Sequence, residues 1–153
     1  MPHPRHRLDL LVLPSSPTGD IAPIRAFAQA LRGAAGLPAG AQDWAWEEAG
    51  ERGFWSSGQG GFRVFCPAVS GGAPITAAFV PALEAWRRGG RAALGPCPRC
   101  GAEHRLDALR FAPEAAFAPA ALRLIDVARA WLEPGEVPAE IGAVTRVIAQ
   151  RPG

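Results

Sequence analysis

The apolar positions of this chain fall into short runs broken by Gly- and Pro-rich turns, and the period inside each run predicts its element. The run 8–13 is apolar apart from Asp9 and is stopped by the cluster Pro14-Ser15-Ser16-Pro17-Thr18-Gly19, which predicts a short buried strand. Asp20 then stands as a candidate N-cap, with Pro23 suited to a first turn. Ile21, Ile24, Phe27 and Leu31 recur at helical spacing until Gly33 and Gly36, so an amphipathic helix follows. Trp44 and Trp46 alternate with small or acidic residues and share one face of a strand.

Phe54-Trp55 and the run 62–65 flank Gly58-Gln59-Gly60-Gly61, a pattern that predicts a hairpin turn. In its second arm Phe62, Val64 and Cys66 face one way and Arg63 and Phe65 the other, which places Cys66 at a strand end. Phe79, Leu83 and Trp86 predict a short helix with Pro81 in its first turn and Gly89-Gly90 at its end. The stretch 115–132 fits both periods: Leu124, Ile125, Ala128 and Trp131 suit a helix, and the run 121–127 suits a strand. A turn at Glu133-Pro134-Gly135, a short helix near 138–143 and a strand near 145–150 complete the chain.

At 153 residues this is the size of one ordinary domain, and 48% hydrophobic residues suffice for a packed core. No apolar run reaches membrane-spanning length, and the first run lacks the small-residue cleavage site of a secretory signal, so a cytoplasmic protein without membrane contact is expected. Residues 1–7 read as a disordered tail, with His3 and His6 part of it and not metal ligands. All basic residues are Arg and Tyr is absent, which fits the coding bias of a GC-rich bacterial genome; Arg richness therefore says little about nucleic acid. The net charge is only +2. Arg87, Arg88, Arg91, Arg99, Arg105 and Arg110 do gather in one region, offset in part by Glu84, Glu103 and Asp107.

That region carries the chemistry. Cys97-Pro98-Arg99-Cys100-Gly101 is a tight turn whose two sulfurs can grip one side of a tetrahedral zinc ion. A zinc ribbon needs a second such turn. Cys66-Pro67-Ala68-Val69 begins one, about thirty residues upstream, but Val69 stands where the fourth Cys belongs. His104, four residues past Cys100, can complete a Cys3His set if the knuckle curls; a fully extended exit strand would carry it out of reach. The metal candidates are thus Cys66, Cys97, Cys100 and His104. Two readings compete with zinc: a ribbon-shaped relic with Cys66 as a small buried hydrophobe, and redox chemistry. The latter normally uses a Cys-x-x-Cys that opens a helix, and the residues after Gly101 read as turn and strand.

The order of these pieces resembles a group of small uncharacterised bacterial proteins with two Cys-Pro-x-Cys knuckles. The resemblance is carried by Trp44 and Trp46, by the run 61–67, by the second knuckle, by 106–111 and by 122–127, and the first knuckle departs from it at Val69. It implies a strand for 121–127 and no particular activity.

Together these readings predict one α+β domain over 8–153: an antiparallel, ferredoxin-like sheet with helices on one face and a degenerate zinc-ribbon hairpin inserted at 62–111. They include no catalytic set; Ser15-Ser16 and Ser56-Ser57 lack a paired His, and no Lys follows the Gly-rich stretch to make a phosphate loop. A protein-binding module (an adapter, regulator or toxin-neutralising protein) is the first expectation. A nucleic-acid-binding zinc ribbon that uses the Arg cluster is the second. An open-site zinc enzyme using Glu103 or His104 is the third.

Overall fold

The computed structural model describes residues 7–15, 19–57, 62–143 and 145–151. The predicted Gly58–Gly61 turn and the His3/His6 tail lie outside the described residues. In chain order the elements are β1 (Asp9–Pro14), α1 (Ala22–Ala30), β2 (Asp43–Glu48), β3 (Phe54–Ser56), β4 (Arg63–Phe65), α2 (Thr76–Arg87), β5 (Ala93–Leu94), β6 (His104–Arg105), β7 (Arg110–Ala112), β8 (Ala115–Phe117), β9 (Ala120–Ile125), α3 (Ala139–Gly142) and β10 (Thr145–Gln150). The protein is α+β with antiparallel pairing and three helices among the described residues. It divides into two compact units: one from residues 1–59 with 116–153, the other from 60–115, which holds the ribbon-like segment.

The first unit is built on a four-stranded sheet of order β10-β1-β9-β2. Each neighbouring pair is antiparallel, with Leu11 opposite both Ile148 and Arg123, and Trp46 opposite Leu122. β1 lies inside the sheet and both its faces are covered, which is why its sequence is a continuous apolar run and does not alternate. On one face Leu10, Val12, Leu122 and Leu124 pack with Ile24 and Ala28 of α1 and Ile141 of α3. On the other, Leu11, Leu13, Ala121 and Ile148 pack with Trp55, Ala116 and Ala118. α1 begins one residue later than Asp20 as N-cap would place it: Ile21 is the N-cap, and no side chain caps it. Asp20 Oδ1 accepts the Ala22 N–H at 2.9 Å from one residue before, and Pro23 lies in the first turn as predicted.

In the second unit Phe62, Phe79 and Phe111 meet edge to face, with centroids 5.3–6.1 Å apart. α2 lays Phe79, Leu83 and Trp86 on the inside. β4 pairs with β7, and β5 with β6.

Three expectations need correction or completion. The predicted hairpin does not form: β3 pairs with β8 and β4 with β7, so the two arms pair with later strands and not with each other. α2 begins five residues before Pro81, which therefore sits inside the helix and not in its first turn; Ile75 and Thr76 supply the true entry, with the Ile75 N–H donating to the Val64 carbonyl and the Thr76 hydroxyl accepting the Val64 N–H. The ambiguous stretch 115–132 resolves as β8, β9 and a loop that carries Trp131 into solvent at 56% exposure.

Candidate metal centre

Cys66 arrives one residue past β4, where Val64 and Cys66 are buried and Arg63 is exposed, as the alternation requires. Cys97 and Cys100 lie in the turn between β5 and β6. The turn closes tightly: Gly101 donates to the Cys97 carbonyl at 2.8 Å, and Cys97 donates to the Ala102 carbonyl at 2.8 Å. Gly101 takes φ +77°, the left-handed step that lets the chain leave the knuckle. The β5–β6 pairing, with Leu94 opposite His104, then turns the exit strand back over the knuckle and brings the imidazole with it.

The structure thus gathers all four residues. Their ligand atoms lie within 4.8 Å of one another. His104 Nε2 stands 3.0 Å from Cys100 Sγ and 3.6 Å from Cys66 Sγ. Zn–S bonds of about 2.3 Å and Zn–N bonds of about 2.0–2.1 Å in a tetrahedron put such donors roughly 3.5–3.8 Å apart. The site is therefore close to the size an ion of that kind needs, and Cys66, Cys97, Cys100 and His104 can hold a metal. No disulfide competes, since all three thiols are free.

Val69 does not join the cluster. Arg110 instead holds the first turn, its Nη2 donating to the carbonyls of Cys66 at 3.2 Å and Val69 at 3.1 Å. The degenerate knuckle is held by a guanidinium, and His104 stands beside the three sulfurs as the fourth potential donor.

The electrostatics favour a thiolate at the base of the site. Burial opposes ionisation of Cys97, but the N–H groups of Cys100 and Arg99 point at its sulfur, and the neighbouring thiols add to them; together they bring the Cys97 thiol down to about 7. Cys100 moves the other way: the Ala102 N–H favours its thiolate, but desolvation and the adjoining Cys66 and Cys97 sulfurs outweigh it and push the thiol up.

The arginine cluster breaks into separate jobs. Arg91 pairs with Glu103 at 2.5 Å and Arg105 with Asp107 at 2.9 Å, while Arg110 binds carbonyls. Glu103, the candidate base of the enzyme reading, is thus engaged by Arg91.

Sequence reasoning missed a charged network in the first unit. Asp9, fully buried, accepts Arg7 at 2.9 Å, Arg123 at 2.9 Å and the Asp126 N–H at 3.0 Å. Arg123 also reaches Glu47 at 2.6 Å and the Gln150 amide oxygen. The available signal was an ionisable residue inside each of two apolar runs, Asp9 in 8–13 and Arg123 in 120–125. Arg7, read as tail, is one of its members.

Among the described residues no helix is long and apolar enough to cross a membrane. No protein-family model, curated protein or solved structure matches the chain.

Proposed function

We propose that this chain is a binding protein whose inserted unit is fixed by a structural zinc ion on Cys66, Cys97, Cys100 and His104, and that its partner is another protein. The observation that carries the reading is the closure of the donor set: three thiols and an imidazole supply four ligands within 4.8 Å. Four protein ligands fill a tetrahedral zinc and leave no position for a reacting water, which distinguishes a structural from a catalytic site. Zinc is the ion of choice because soft thiolates with one imidazole suit it, whereas calcium and magnesium take oxygen.

Protein as partner is supported in the first unit. A mostly apolar cleft of about 750 Å³ is lined by residues that include Phe27, Leu132, Val137 and Val147, with Glu133 and Glu136 also on its wall. Trp131, the most exposed large apolar side chain described, immediately precedes Leu132 in the loop that lines it. The strand order β10-β1-β9-β2, with α1 between β1 and β2 and α3 between β9 and β10, supports a ferredoxin-like reading of this unit.

A nucleic-acid partner is the second reading. The unit 60–115 holds seven Arg against four acids, and Arg63, Arg88 and Arg99 remain outside the ion pairs that occupy Arg91 and Arg105.

Isolation of the tagged chain from its own host tests both. A protein that stays bound in about 0.5 M salt, where screening acts over a few ångströms, and that is lost with Trp131→Ala supports the proposal. Recovery of nucleic acid that salt removes would put the second reading first. Elemental analysis of the same preparation, made without added zinc, should give one zinc per chain.

A further inference from the structure

We propose that Cys97 and Cys100 are a hydroperoxide-oxidisable pair, that Cys100 is the sulfur attacked first, and that their disulfide and the bound metal are mutually exclusive states of one site. The second half rests on the metal reading above; the first does not.

The three thiols differ sharply in access. Cys66 and Cys97 are 2% and 3% exposed, whereas Cys100 is open to solvent. Oxidation follows thiolate character and access together. Cys97 is the better thiolate but is closed off from solvent, so access decides the order and a hydroperoxide meets Cys100 first. Cys97 is the natural resolving thiol, because it belongs to the same four-residue turn, which Gly101 closes on the Cys97 carbonyl. The Sγ atoms already lie within 4.8 Å, so rotation of the side chains can bring them to the S–S bond length of about 2.05 Å. Cys66 is close as well, but its backbone is pinned at the end of β4 by Arg110, and a bond to it would require two separate segments to shift.

The chemistry balances without a further reagent. The Cys100 sulfur attacks the terminal oxygen of the hydroperoxide, the O–O bond breaks, and the products are Cys100 sulfenic acid and one alcohol, or water from hydrogen peroxide. The Cys97 sulfur then attacks Cys100 sulfur and expels the hydroxyl as water. Two thiols have lost two hydrogens and two electrons, and the O–O bond has accepted them. Only Cys66 and His104 would then remain as donors, and two protein ligands do not hold a structural ion.

The test begins with the full chain, reduced and stripped of metal, given one equivalent of hydrogen peroxide, digested and mapped. The expected result is a Cys97–Cys100 disulfide, two of three thiols lost, Cys66 still alkylatable, and reversal by a phosphine reductant; in Cys100→Ser both remaining thiols should stay reduced. A disulfide that contains Cys66, or three intact thiols, would overturn the pairing. The zinc-loaded chain is oxidised in parallel, with released zinc read by a chromogenic chelator. One zinc freed per disulfide supports exclusivity, and a disulfide formed with zinc retained sinks it. Zinc uptake by the reduced chain is measured beforehand by equilibrium dialysis. No uptake would overturn the metal reading and the exclusivity with it, while the disulfide map would still decide the thiol pair.

Discussion

His104 occupies the place of a missing cysteine, and the reason is local. The second knuckle is short, its exit strand pairs back on Leu94, and the side chain at the second residue past Ala102 falls beside Cys100. The Val69 departure then costs the site one sulfur but not its fourth donor. His104→Ala should weaken zinc binding by on the order of 3 kcal/mol, a quarter of what structural zinc sites yield, or roughly a hundredfold in affinity. Competition with a chromogenic chelator measures it; affinity within a few-fold of wild type would place the histidine outside the site. A second residue-scale prediction concerns Asp9. Burial raises its pKa, but the Asp126 N–H, Arg7 and Arg123 outweigh that and hold it below its ordinary 3.8. A carboxylate with a depressed folded pKa stabilises fully above its unfolded value and loses that contribution as pH falls through the folded one. Wild type should therefore lose stability below about pH 4 relative to Asp9→Asn. At pH 7 the variant should itself be weaker by about 2–4 kcal/mol, since Arg123 keeps only part of its partners. Urea denaturation at both pH values reads the two effects; parallel pH profiles would show that Asp9 carries none of the dependence.

At the scale of elements, local signals located the pieces and long-range pairing decided their use. The run 8–13, the stripe Ile21/Ile24/Phe27/Leu31 and the alternation Trp44/Trp46 each fall on the element predicted for them. The buried line of α1 nevertheless runs through Ile24 and Ala28 to Leu31, with Phe27 only half-buried, and Trp44 and Trp46 are half-buried against the same core. The hairpin failed for a physical reason. A Gly-rich stretch between two apolar arms permits a reversal but cannot specify a partner, and β3 and β4 pair instead with β8 and β7. The Cys97/Cys100 half of the cluster was legible because Cys-x-x-Cys spacing is a local geometric signal. Asp9 and Arg123 each show locally as a charge inside an apolar run, but nothing local says that they are partners across 114 residues. The β3–β8 pair yields its own prediction. A Cβ on Gly53 would collide with the Ala118 carbonyl, the acceptor of the Trp55 indole N–H at 2.9 Å. Gly53→Ala should cost about 1–3 kcal/mol through overpacking, while Gly36→Ala, with open space around its Cβ, should stay within about 0.5 kcal/mol of wild type. Equal urea midpoints for the two variants would mean that the pair tolerates the shift.

At the scale of the whole molecule, each unit has a core of its own, and this limits what a metal can be asked to do. The sheet of the first unit buries Leu10, Leu11, Val12 and Leu124 completely without any contribution from the cysteines. The second unit has Phe79, Val64 and Leu106 fully buried, so its interior does not reduce to the knuckle either. An ion held there would crosslink the end of β4 and the β5–β6 turn, two segments that share no backbone pairing. Its removal should therefore loosen a region and not unfold the chain. In hydrogen exchange, a chelator should speed the Cys97 and Gly101 amides, which rest on hydrogen bonds inside the knuckle. The amides of β1 and β9 should keep their protection, because their bonds lie inside the four-stranded sheet. Global loss of protection would make the ion a requirement for folding, as in classical zinc fingers. Unchanged exchange at the knuckle, in protein shown to have carried zinc beforehand, would mean that Arg110 and the turn hydrogen bonds hold this region on their own and that the crosslink adds no rigidity.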